Sequence, residues 1–316
     1  MPSVLDRIHL SALARIRRPD GAVRLALWRD GVLRELPRLS FDALLGRPLD
    51  DIRDLVEGAV RSRRRLDHDS VEVLAPVESQ EVWAAGVTYL RSREARREES
   101  ASKDVYSQVY EAERPELFFK AAGWRVAGPE DALGLRSDST WDVPEPELAV
   151  LSNHLGEVVA YTIGNDMSSR SIEGENPLYL PQAKVYDRSC ALGPVAVLAW
   201  HADVSAAGVR MTIRREGREV FAGEASTSSL VRDPAALARV LHSCYTLPAG
   251  AWLLTGTGIV PPQPYTARPG DVVRIEIEGM GELENRLVLV RSSGAKAPAA
   301  PHRTLPRERG EAIESS

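Results

Sequence analysis

The sequence predicts an α+β fold that is mostly β, with a small α/β unit at its N-terminal end. Three observations carry this: many short β-rich runs, turn dipeptides such as Asp30-Gly31 and Glu216-Gly217 between them, and few stretches with helical spacing.

Taken in order, Ala22 to Leu36 reads as a hairpin turning at Asp30-Gly31. Asp50 or Asp51 then caps a helix through about Arg64, with Ile52, Leu55, Val56, Ala59 and Val60 on one stripe. Arg61 to Asp69 is a charged, linker-like stretch, and a boundary is placed near residue 75. It separates a small N-terminal domain, 1–75, from a larger one, 76–292. The larger unit opens with a strand at Val82 to Gly86, followed by a very polar segment, 91–113, expected to form a helical lid or surface helix. Strands are expected at 195–200, 209–214 and 219–222, with Glu216-Gly217 turning between the last two. Asp233-Pro234 starts a helix to about Tyr245, and strands at 251–254, 271–278 and 285–291 close the unit. From Ser292 the composition turns to Ala, Pro, Arg and Glu, so 293–316 is expected to be a disordered tail. The chain shows no internal repeat, and Gly256-Thr257-Gly258 is too short for a nucleotide-binding loop.

Composition narrows the function. At 316 residues with a net charge of −5, the chain can bury a large core and has no basic stripe, which disfavours nucleic acid and anionic membrane as partners. No apolar run approaches the roughly 20 residues that span a bilayer, and the N-terminus lacks a signal-peptide pattern. Two cysteines, Cys190 and Cys244, without metal-type spacing point to a reducing, cytoplasmic setting.

The chemistry concentrates around Glu145-Pro146-Glu147. Pro144 and Pro146 push the residues before them toward extended geometry, and residues i and i+2 of a strand share a face. Glu147 to Leu151 and Val158 to Ile163 read as the two arms of a hairpin joined by 152–157. With Ser152 opposite Glu157, Glu145 falls opposite Gly164, and Asp166 lies two residues further along the same face. Three converging carboxylates suit a hard divalent cation: Mg²⁺, Mn²⁺ or Ca²⁺. Solvated acids on a strand face are the bland reading of Glu145 and Glu147, and Asp166 and Lys184 weigh against it.

Only Lys103, Lys120, Lys184 and Lys296 among 40 basic residues are lysine, so lysine stands where a compact or titratable amine is wanted, or by chance.

Together, several segments carry a resemblance. They are Gly86-Val87-Thr88-Tyr89, Pro115-Glu116-Leu117-Phe118-Phe119-Lys120, the Glu145/Glu147 pair, and Gly164-Asn165-Asp166-Met167-Ser168-Ser169-Arg170. Leu254-Thr255-Gly256-Thr257 and Pro269-Gly270-Asp271 follow in the same order. From Val82 to about Val290 the chain resembles the fumarylacetoacetate hydrolase superfamily. The resemblance implies a mixed β-roll, a divalent cation held by Glu145, Glu147 and Asp166, and a homodimer or homotetramer.

Hydrolases of that superfamily place a His, with a nearby Glu, shortly after the first segment to activate water; here the position is Ser92, and no histidine lies between His68 and His154. The stretch from Gly174 to Lys184 looks like the loop of the sugar-acid branch, the 2-keto-3-deoxy-D-arabinonate (pentonate) dehydratases. That resemblance implies a small-molecule 2-keto acid substrate and loss of water from it, giving 2,5-dioxopentanoate, with Mg²⁺ the first choice of metal. Lys184 is expected to transfer the C3 proton and Glu116 to serve as partner acid/base near the leaving hydroxyl. Thr257, Arg170, Lys120 and Ser92 are expected to contact substrate. Arg170 could instead brace Glu173, Glu116 could be a plain surface acid, and Lys120 could neutralise the carboxylates or extend from the core. Two alternatives stay open. One is a hydrolase or decarboxylase of β-diketo acids using Glu94, Glu98 or Glu99 as base; the other is a non-catalytic sugar-acid-binding protein.

Overall fold

A computed structural model describes residues 3–61, 64–89, 109 and 112–290. The expected 293–316 tail and most of the 91–113 segment lie outside the described residues.

The chain builds an eleven-stranded sheet faced on one side by a five-stranded sheet, the mixed β-roll the resemblance implies. At the centre of the large sheet, Pro146–Ser152 pairs antiparallel with Val158–Asp166 and with Ala251–Leu254. Val158–Asp166 pairs in turn with Cys190–Leu198. Beyond Ala251–Leu254, Glu81–Gly86 runs parallel and Glu116–Ala122 forms the edge. The other half is built from the N-terminal strands, starting with Ala12–Arg17 against Cys190–Leu198. The sheet therefore crosses the expected boundary near residue 75 without a break.

Strand alternation supplies two cores. Leu148, Ile163, Val195 and Val197 face the five-stranded sheet, where Met211, Ile213, Val273, Ile275 and Leu283 complete the packing. Ala149, Leu151, Ala160, Leu192 and Trp252 face the other way, against Phe41, Leu44 and Leu45 of the helix Phe41–Leu45 and Ile52 and Val56 of Leu49–Ala59.

The hairpin at Asp30-Gly31 forms as read, with φ of 52° and 69° at the two turn residues. The helix expected from Asp50 or Asp51 starts at Leu49, with Pro48 as cap, and ends at Ala59. Pro48 is extended, and the first amide, Leu49, donates to Glu157 Oε2 at 2.8 Å; Asp50 and Asp51 lie inside the first turn, where acids favour the helix dipole. Asp233 caps Pro234–His242 by accepting hydrogen bonds from the Ala235 and Ala236 amides. The stretch 174–184, read as a loop, takes in the end of the short helix Arg170–Glu175 and two further helical turns, Pro177–Tyr179 and Leu180–Lys184. Their capping by Ser169 and Asn176 was present in the sequence but unread.

The central hairpin departs from its expected register. Glu147, not Glu145, lies opposite Gly164, and the Asp166 amide donates to the Glu145 carbonyl at 3.0 Å. The turn holds Asn153, whose Oδ1 accepts from the Leu155 and Glu157 amides, so Ser152 pairs with Val158. A bulge after Leu151 adds the second residue of offset. Because the offset is even, every side chain keeps its face. Glu145 and Asp166 thus sit directly across from each other rather than on a diagonal.

Among the described residues no helix is long and apolar enough to cross a membrane.

Candidate active site

The face that packs Ala149, Leu151 and Ala160 continues, beyond its apolar rows, into Glu147, Glu145 and Asp166. All three carboxylates are buried, and one oxygen of each lies within 4.8 Å of the others. Burial pushes the Glu147 carboxyl well above its ordinary range, and the neighbouring Asp166 and Glu145 charges add to the effect. A divalent cation resolves that conflict: it neutralises several carboxylates at once and takes oxygen ligands. The trio therefore fits the metal that the resemblance implies.

Three cations of the chain enclose the trio. Lys184 Nζ donates to Glu145 Oε2 and Asp166 Oδ2, each at 2.8 Å, and to Ser168 Oγ at 2.5 Å. Lys120 Nζ lies 2.5 Å from Asp166 Oδ1 and donates to the carbonyls of Met167 at 2.9 Å and Lys184 at 2.6 Å. Arg170 approaches Glu145 Oε1 to 2.8 Å. Lys120 and Lys184 are both essentially inaccessible. Two of the chain's four lysines are thus placed where a buried ammonium answers a buried carboxylate.

A recess opens beside these groups, lined by Gly86, Glu116, Phe118, Glu173, Lys184 and Thr257 together with the trio. Its free volume is ≈ 20 Å³, the space of one water or ion. Gly86 faces Glu116 across the pair of strands, and a Cβ there would collide with Glu116 Oε2, so glycine admits that carboxylate. Phe118 forms an apolar wall with its ring centre 5.7 Å from Lys184 Nζ. Gly256, at φ +91°, donates its amide to Glu147 Oε2 at 2.5 Å, and a Cβ there would collide with Thr88 Oγ1. Gly256→Ala is expected to cost at least about 2 kcal/mol of stability and to weaken cation binding. Thermal melting and a Mn²⁺ titration check both effects.

Of the residues singled out from sequence, Glu145, Glu147, Asp166, Lys184, Glu116 and Thr257 meet in the recess. Thr257 Oγ1 donates to the Ile259 carbonyl at 3.1 Å and accepts from the Ile259 amide, which braces the turn. Arg170 and Lys120 stand behind the carboxylates, engaged with Glu145 and Asp166. Ser92 lies outside the described residues. Sequence reading missed three contributors. Ser168 follows Asp166 by two residues, the Gly256 amide belongs to a glycine already noted, and Glu173 sits on the short helix Arg170–Glu175 just before the stretch read as a loop.

The profile described as "Fumarylacetoacetate (FAA) hydrolase C-terminal" matches residues 81–288. The chain is 47% identical over 256 residues to a protein of Haloferax volcanii named "Probable 2-keto-3-deoxyxylonate dehydratase", covering 81% of this chain and 85% of that one. It is 39% identical over 220 residues to the 2-dehydro-3-deoxy-D-arabinonate dehydratase of Saccharolobus solfataricus, covering 68% of this chain and 74% of that one. Among solved structures, 2-keto-3-deoxy-D-arabinonate dehydratase complexed with magnesium and 2,5-dioxopentanoate matches with a TM-score of 0.77 and 32% identity, over 88% of this chain and 99% of that one. By profile, by relatives and by fold, the chain belongs to the fumarylacetoacetate hydrolase family, with 2-keto-3-deoxy sugar-acid dehydratases among its relatives.

Proposed function

We propose that the protein is a divalent-metal-dependent hydro-lyase that converts a 2-keto-3-deoxy-D-pentonate to 2,5-dioxopentanoate. One observation carries the reading: Lys184 Nζ lies 2.8 Å from oxygens of both Glu145 and Asp166. An amine that shares oxygens with the cation-holding carboxylates is presented to whatever those carboxylates hold.

Glu145, Glu147 and Asp166 would hold the cation, Mg²⁺ first. When bound, it supplies Lewis-acid polarisation of the substrate's ketone. Lys184 takes a proton from C3 and Glu116 delivers one to the C4 hydroxyl, which leaves as water, so a C3–C4 double bond forms. Tautomerisation then moves one C5 hydrogen to C4, returns the Lys184 proton to C3 and passes the C5 hydroxyl proton to Glu116, giving the C5 aldehyde and restoring both side chains. Phe118 keeps the amine against an apolar wall, and the turn braced by Thr257 lines the side of the recess where the substrate carboxylate would lie.

The xylonate and arabinonate names of the relatives describe one demand on the site. A ketone at C2 and a methylene at C3 erase the stereocentres that separate the two sugar acids, leaving only C4. Within this reading residues 76–292 carry the chemistry, 1–75 form the supporting unit, and the protein works as a cytoplasmic homodimer or homotetramer. With Mg²⁺ and 2-keto-3-deoxy-D-pentonate, ¹H NMR is expected to show 2,5-dioxopentanoate accumulating. Cleavage of a β-diketo acid at a comparable rate, without that product, would replace the lyase reading with a hydrolase.

A further inference from the structure

The outer face of the five-stranded sheet carries a second candidate site, away from the carboxylate recess. In register, Arg214 lies directly opposite Val272 on the neighbouring strand, and Val272 lies directly opposite Arg286 on the next. Directly opposed residues share a face, so both arginines flank a short apolar side chain, with backbones roughly 10 Å apart, two inter-strand spacings. Their neighbours Ile213, Val273 and Leu287 point into the core, which directs the arginine row outward. A groove of ≈ 560 Å³ opens over this row, walled by Arg268, Pro269 and Gly270.

The charges in the groove are not balanced. Asp271 is fully buried and is taken by Arg215, which grips both its oxygens at 2.8 Å, and by the Arg268 amide at 2.9 Å. Glu284 is taken by Arg274 at 2.7 Å. Arg214, Arg268 and Arg286 remain exposed, with no carboxylate in ion-pair distance among the described residues; Glu216 on the rim and Glu219, opposite Arg214 on the adjacent strand, are the remaining acids. Three unpaired guanidinium groups thus converge on one concave space in a protein whose net charge is −5.

We propose that this groove binds a compact multivalent anion, of the diphosphate or tricarboxylate type. Guanidinium forks match the paired oxygens of phosphate and carboxylate groups, and clustered cations in a concavity raise the local concentration of anions.

The test is isothermal titration calorimetry of the full chain with pyrophosphate and, separately, citrate, without added divalent ions. Saturable binding with Kd below about 1 mM is expected for at least one, and which one identifies the anion class. The exposed double substitution Arg214→Ser/Arg286→Ser is expected to weaken that binding at least about 10-fold with an unchanged melting midpoint. Arg210→Ser, on the same face but outside the groove and paired with Glu224, should leave it unaltered. If the double variant melts early, Arg268→Ser replaces it, with the same weakening expected. No saturable binding of either anion, or equal binding by the arginine variants, overturns the proposal.

Discussion

Replacing Lys184 by alanine is expected to lower kcat for dehydration by about 10³-fold while cation binding persists. A positioned proton-transfer group contributes roughly 10²–10⁴-fold to a rate, and Lys184 is the amine that reaches both Glu145 and Asp166 at 2.8 Å. It also donates to Ser168 Oγ, so its position is determined by three acceptors rather than by the pocket wall alone. The three carboxylates proposed to hold the cation are untouched by the substitution. Turnover under saturating substrate and Mg²⁺, beside a Mn²⁺ titration followed by electron paramagnetic resonance, separates the two effects. Unchanged turnover would remove Lys184 from the chemistry. Lost metal binding with lost turnover would make its role structural.

Lys120→Ala is expected to act on stability first. Its ammonium is fully buried, 2.5 Å from Asp166, and is also hydrogen-bonded to two backbone carbonyls. Removing one partner of a buried ion pair leaves an uncompensated charge and costs about 3–5 kcal/mol. Lys184 still faces Asp166, which puts the expected loss at about 3 kcal/mol, or roughly 5 °C in melting midpoint for a chain of this length. An unchanged melt with a raised KM would instead mean that Lys120 meets substrate, the role first expected for it from sequence.

Much of the site could be read from the chain because it rests on period-two geometry. Glu145, Glu147 and Asp166 share a face whatever even register the hairpin adopts, so the bulge after Leu151 displaced the pairing without scattering the carboxylates. The scarcity of lysine pointed to Lys120 and Lys184, both of which are buried against the trio. What escaped depends on distant strands. Gly256 reaches Glu147 because Ala251–Leu254 lies beside Pro146–Ser152, a pairing across about a hundred residues that no local pattern encodes. Arg170 is similar: its partner Glu145 comes from a segment 25 residues away that no local spacing points to. The strands Ala12–Arg17 and Ala132–Arg136 were missed because each is short and lacks clear alternation.

The central claim is that the buried trio holds a cation on which dehydration depends. The direct measurement treats the protein with EDTA, removes the chelator, and follows semialdehyde formation from 2-keto-3-deoxy-D-pentonate as Mg²⁺, Mn²⁺ or Ca²⁺ is returned. The stripped protein is expected to be inactive and Mg²⁺ to restore turnover, with Glu147→Gln failing to recover at the same concentration. Full turnover by the stripped protein, or equal recovery by the variant, would contradict the account.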